Sequence, residues 1–199
     1  MSSLVGHALG ATVVWEAGRR LTGDQTLPGK RWYALPCVAA ALPDLDVVVP
    51  MLFDVPADHR GASHSLPAAV VLAAAAAGVA VSLARGAEFG RTFALLVPCT
   101  FLHPVLDFLM GRGPPIEFLW PWVTEGWLSP IQVVPTAYYP THADALIAVL
   151  LYGKTWIGIG FELVAFGPLL LALRSRPPDT LVWIATSVVA FSLIVLAYN

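Results

Sequence analysis

Six stretches of mostly apolar residues, about 3–18, 33–53, 66–84, 92–110, 155–173 and 181–198, divide this chain. A helix that crosses hydrocarbon needs roughly 20 such residues, and in lipid every backbone polar group must be satisfied within the protein. Few architectures meet that demand. Composition agrees: 57% of the 199 residues are hydrophobic and 12% charged, with a mean hydropathy of +0.73, against about 25% charged in an ordinary soluble domain. The expected fold is all-α, a polytopic transmembrane bundle of about five to six spans, the first of them short, forming one unit over 1–199.

The segment of about 111–140 breaks the pattern. Prolines 114, 115, 121, 130, 135 and 140 rule out a continuous helix there. Its Trp120, Trp122, Trp127, Tyr138 and Tyr139 are side chains that settle where membrane meets water. It reads as an interfacial or re-entrant lid. No basic residue precedes the first apolar stretch, which argues against a secretory signal peptide. A net charge of −2 gives no reason to expect nucleic acid. Cys37 and Cys99 lie in apolar runs as packing residues, without a Cys-x-x-Cys pair.

Basic residues fix an orientation when alternate connections are counted. Arg19, Arg20, Lys30, Arg31, Arg85, Arg91, Arg174 and Arg176 make eight on one side, and Arg60, Arg112 and Lys154 make three on the other. By the positive-inside rule the eight are cytoplasmic, so both termini and the loops near 54–65 and 111–145 lie outside. His7, His59, His64, His103 and His142 then all fall toward the outer face, with Asp44, Asp46 and Asp107 beside them.

Those residues carry the chemistry. An imidazole or carboxylate in hydrocarbon is costly unless it is paired or ligates a cation, so each is a functional candidate. His103 and Asp107 are four apart and share one helix face. Asp44 and Asp46 are two apart, about 200° around a regular helix, but Pro43 lets the backbone deviate, so that both could serve as ligand, bridge or base; a helix cap is the plainer reading of either. His59 and His64 flank Gly61 in a spacing that suits a loop, and Arg60 between them could hold an anionic oxygen. Ser65 reads as a cap for the next helix. His142 and Asp144 form a further pair, whereas Glu16, Glu88 and Glu162 cluster with none of these. With nitrogen and oxygen donors alone, zinc, manganese or iron are the candidates; several mixed His and Asp ligands suggest more than one ion, and two ions about 3.5–4 Å apart would favour hydrolysis.

His7 with Gly10, Leu42-Pro43-Asp44-Leu45-Asp46, His59-Arg60-Gly61-Ala62-Ser63-His64-Ser65, His103-Pro104-Val105-Leu106-Asp107 and Gly113-Pro114 through Leu119-Trp120-Pro121-Trp122 together resemble the YdjM-type family of inner-membrane metal-dependent hydrolases, described as LexA-binding. The resemblance covers about residues 5–125 and implies a membrane-bound metal-dependent hydrolase of a bacterial or archaeal cytoplasmic membrane. The order His, Asp, His, His-x-x-x-Asp is also similar to the zinc-dependent phospholipase C family, although this chain lacks that family's later His-x-x-x-Glu pair.

The expectation is therefore a hydrolase acting by metal-activated water on an ester or phosphoester of an amphiphilic or lipid substrate. His7, Asp44, His59, His103 and Asp107 are the expected metal ligands, zinc foremost. Asp46 and His64 are the expected base or orienting pair, and Arg60 the anion clamp. Two other readings fit intramembrane His and Asp: a transporter of metal ions or protons, which predicts ionisable residues throughout the depth, and a scaffold for a partner protein, which predicts larger inner loops than these.

Overall fold

The computed structural model describes residues 3–23, 27, 29–46, 53, 60–133, 153–176 and 178–198. Helix α1, Leu4–Thr22, begins at Ser3, whose Oγ accepts the Gly6 N–H at 3.1 Å, and stops at Gly23 in the left-handed conformation (φ 65). It buries His7, Gly10, Ala11 and Trp15 on one face. A Cβ on Gly10 would lie 2.6 Å from the Leu102 side chain, so glycine lets α1 approach its neighbour closely there.

Helix α2, Ala34–Ala41, is only 8 residues long and tightens into a 3-10 turn at Leu42–Asp44. The described part of the expected span over 33–53 is therefore not one regular helix, and residues 47–52 lie outside the described residues. Pro43 lacks the N–H that a regular helix would use, and the tighter turn carries Asp44 inward. A second 3-10 turn, Ala62–His64, leads into α3, Leu66–Leu83, whose cap is Ser65 as its sequence suggested: its Oγ accepts the Ala68 N–H at 3.2 Å. Ala69, Ala73, Ala77 and Ala80 make the buried stripe of α3, and Val70, Val71, Val79 and Leu83 face outward. That outward apolar face is what a lipid-exposed helix presents.

Helix α4, Phe89–Leu109, tolerates Pro98 and Pro104 and buries His103 and Asp107 one turn apart. Thr100 Oγ1 donates to the Ala69 carbonyl at 2.9 Å, tying α4 to α3. Helices α5, Gly153–Arg174, and α6, Asp179–Tyr198, form a hairpin packed through Ala165, Phe166, Ala190, Phe191 and Ile194. The central element is α1, which packs against α2, α4 and α5; α3 covers α4, and α6 covers α5. Among the described residues four helices are long and apolar enough to cross a membrane, α3, α4, α5 and α6, fewer than the five to six expected. The charges Glu16, Arg19 and Arg20 in α1 and the brevity of α2 account for the difference.

Residues 111–133 are an ordered loop across the ends of α3 and α4. Ile116 and Trp127 exchange both backbone hydrogen bonds, at 2.9 and 3.0 Å. Leu66 N–H donates to Phe118 O at 2.9 Å and Val133 N–H to Leu109 O at 2.8 Å, fastening the loop to both helices. Trp122 is 77% exposed, with Leu119, Trp120 and Trp127 exposed beside it. Within its described part the lid is thus a pinned surface loop with an aromatic outer face; Tyr138, Tyr139 and the rest of the segment to 140 lie outside the described residues.

Candidate metal centre

Four elements with no sequence contiguity meet at one end of the bundle. His7 comes from the first turns of α1, Asp44 from the 3-10 turn after α2, His64 from the turn before α3, and His103 with Asp107 from one face of α4. His7, Asp44, His103 and Asp107 each offer a ligand atom within 4.8 Å of all the others, and all four are buried. His7 Nε2 lies 3.5 Å from Asp107 Oδ1, and His103 Nε2 lies 3.5 Å from Asp44 Oδ1. His64 Nε2 reaches the same place, 3.6 Å from Asp44 Oδ1 and 3.5 Å from Asp107 Oδ2. Donors bound to one tetrahedral ion at roughly 2.0–2.2 Å stand about 3.3–3.6 Å from one another.

Satisfaction of the polar atoms tests the fit independently. Both ring nitrogens of His7, both carboxylate oxygens of Asp44 and Nε2 of His103 are buried with no hydrogen bond among the described residues. Each such atom costs about 1–3 kcal/mol when left so, and a divalent cation would satisfy them together. The outer nitrogens point the same way. His103 Nδ1 is 2.6 Å from the Ala40 carbonyl, so it donates there and presents the Nε2 lone pair inward. His64 Nδ1 lies 3.2 Å from Asp46 Oδ2 and 3.0 Å from Ser63 Oγ, while Ser63 Oγ donates to Asp46 at 2.6 Å. Asp46 thereby orients His64 from outside the ligand cluster. The rings also pack on one another, His7 stacked on His103 at 3.9 Å and His64 edge-on to His103 at 4.7 Å.

Burial disfavours a charged His64, but the carboxylates of Asp107, Asp44 and Asp46 outweigh it and push its pKa up to about 10. A cation binding there competes with that proton, so loading weakens as pH falls. Asp46→Asn removes the carboxylate that orients His64 and should weaken metal binding about 10–100-fold, read by competition with a chromophoric chelator. An unchanged affinity would exclude an orienting role for Asp46.

Arg60 has partners other than those its sequence neighbours suggest. Its side chain is 1% exposed. Nη1 donates to the carbonyls of Arg112 and Pro114 at 2.8 and 2.9 Å, Nη2 faces Met110 Sδ at 3.7 Å, and Nε lies 3.3 Å from Asp107 Oδ2. A guanidinium committed to these partners fastens the lid to a ligand carboxylate and is not arranged as an open anion clamp. Gly113 makes room for it, since a Cβ there would sit 2.8 Å from Nη1. Ser63 and the Ala40 carbonyl escaped the sequence reading. Ser63 lies between Arg60 and His64, and only the folded turn reveals that its hydroxyl serves Asp46. His59, His142 and Asp144 lie outside the described residues.

A family model described as YdjM inner membrane protein matches residues 1–198. No curated protein and no solved structure matches the chain, so the likeness to zinc-dependent phospholipase C gains no support from them.

Proposed function

The chain belongs to the YdjM inner membrane protein family, and from that premise we propose that it is a membrane-bound, metal-dependent hydrolase of an ester or phosphoester on an amphiphilic substrate. The observation that carries this reading is the convergence of buried imidazoles and carboxylates from four elements, at separations suited to one divalent ion. His7, Asp44, His103 and Asp107 hold the ion, with His64 at its edge. One ion suits so compact a donor set better than two, and zinc suits its mixture of imidazole and carboxylate. When bound, such an ion would supply water acidified to react near neutral pH and would polarise the carbonyl or phosphoryl group that the water attacks. His64 is placed to hold a proton at Nε2, with Asp46 keeping the other ring nitrogen protonated.

Placement in the membrane follows the same helices. Arg19 and Arg20 lie at the far end of α1 from His7, and Arg91 at the far end of α4 from Asp107, roughly 18–24 Å away at 1.5 Å per residue. With the basic end cytoplasmic, the centre lies toward the outer leaflet and the exposed tryptophans of the lid sit at its headgroups.

Purified protein loaded with zinc should hydrolyse phospholipid in mixed micelles and a soluble phosphodiester, and lose both activities to a chelator and to His103→Ala. No turnover of any phosphoester or carboxylic ester by the zinc-loaded protein would defeat the hydrolase reading. Trp122→Ala should lower turnover of lipid several-fold more than that of the soluble ester; equal losses would remove the lid from substrate capture.

A further inference from the structure

The described part of the α5–α6 hairpin supplies no ligand to the centre. Yet α5 carries Glu162, 1% exposed, inside a helix apolar enough to cross a membrane. An ionisable group at such a position is expensive and marks function more often than packing. Both of its carboxylate oxygens accept hydrogen bonds from one residue. The Ser3 N–H donates to Oε1 at 2.7 Å, and the Ser3 hydroxyl donates to Oε2.

Ser3 is also the cap of α1. Its Oγ accepts the Gly6 N–H at 3.1 Å, and its carbonyl accepts the His7 N–H at 3.0 Å. His7 is therefore one turn from a cap that a distant helix holds. An anionic group beside a helix N-terminus is further favoured by the helix dipole. The ring of His7 lacks the outer support that its neighbours have. His103 donates to a carbonyl and His64 is held by a carboxylate, whereas neither nitrogen of His7 makes a hydrogen bond among the described residues. Apart from the approach of Nε2 to Asp107 Oδ1 at 3.5 Å, its position rests on the backbone of the first turn and on the stack against His103.

We propose that Glu162 is the positioning residue for His7: by locking Ser3 it orders the first turn of α1 and holds the imidazole in the metal centre, coupling the C-terminal hairpin to a site to which it gives no ligand. This rests on the metal-centre reading above. It assigns the hairpin a role beyond covering apolar surface.

The test uses the detergent-purified full chain as wild type, Glu162→Ala, Glu162→Gln, Ser3→Ala and the Ser3→Ala/Glu162→Ala double variant. Amide hydrogen exchange is followed in metal-free protein, and zinc affinity by chelator competition. Glu162→Ala should speed exchange across residues 4–8 by tenfold or more while peptides from α4 stay at the wild-type rate. Zinc affinity should fall about 10–100-fold, the scale for loss of a group that supports a ligand. Glu162→Gln, which keeps one acceptor oxygen, should fall between, and the double variant should lose no more than the worse single, because the two residues act as a unit. Unchanged exchange over residues 4–8 overturns the lock, and so do additive penalties. Faster exchange with wild-type zinc affinity overturns the link to the centre. If the alanine variant does not fold, Glu162→Gln and Ser3→Ala carry the same comparison. Wild-type protein that binds no zinc overturns the metal-centre reading itself, a result that the exchange arm separates from failure of the lock.

Discussion

The variant His103→Ala/Asp107→Ala should emerge from purification with less than a tenth of the metal held by wild type, which should carry close to one zinc or manganese per chain by elemental mass spectrometry. The two side chains project from one face of α4 and give both a neutral nitrogen and an anionic oxygen to the centre. Their loss leaves donors from three other elements and no helix offering two. His103→Ala alone is the cleaner arm. It leaves Asp107 in place beside Arg60, 3.3 Å from its Nε, so the variant loses a ligand without stranding a buried cation. Metal retained at the wild-type level by both variants would show that the bound ion lies elsewhere. Wild type that stays metal-free after incubation with each candidate cation would remove the centre altogether, and the cluster would then be a buried knot of imidazoles and carboxylates at the end of the bundle.

Much of that centre was legible because helical spacing is local. His103 and Asp107 had to share a face once the segment was helical. Asp44 and Asp46 could not both face one point on a regular helix, and indeed the fold separates them: Asp44 enters the cluster, and Asp46 stands behind His64. Which of the two would turn inward was not legible, because it depends on where residues 60–64 return against the turn after α2. Arg60 illustrates the same limit. Beside His59 and Gly61 it reads as an anion-binding side chain, and its actual partners, Asp107 and the carbonyls of Arg112 and Pro114, are about 50 residues away in sequence. Span counting failed for a different reason. Apolarity alone does not separate a lipid-facing helix from α1, which is surrounded by other helices and ends in charge, or from α2, which Pro43 cuts short.

Arg60→Met should destabilise the metal-free protein, by at most about 3–5 kcal/mol, the scale for removing one partner from a buried ion pair, because His64 still faces the Asp107 carboxylate at 3.5 Å. Methionine roughly fills the volume, so the loss reports on charge and hydrogen bonds more than on a cavity. The Asp107 carboxylate would lose its guanidinium partner, and the carbonyls of Arg112 and Pro114 a donor, so the lid should loosen together with the ligand. Saturating zinc should recover part of the deficit: a cation at Asp107 replaces the missing charge, and any ligand that binds only the folded state adds stability by mass action. Arg60→Lys should rescue poorly, since an ammonium cannot span Asp107 and two carbonyls as the guanidinium fork does. Thermal unfolding in detergent, with chelator and with zinc, reads all of this directly. Wild-type melting of Arg60→Met in chelator, combined with weakened substrate binding, would return Arg60 to the role of an anion clamp. A metal-dependent deficit would establish that the same guanidinium closes the lid onto the ligand it holds.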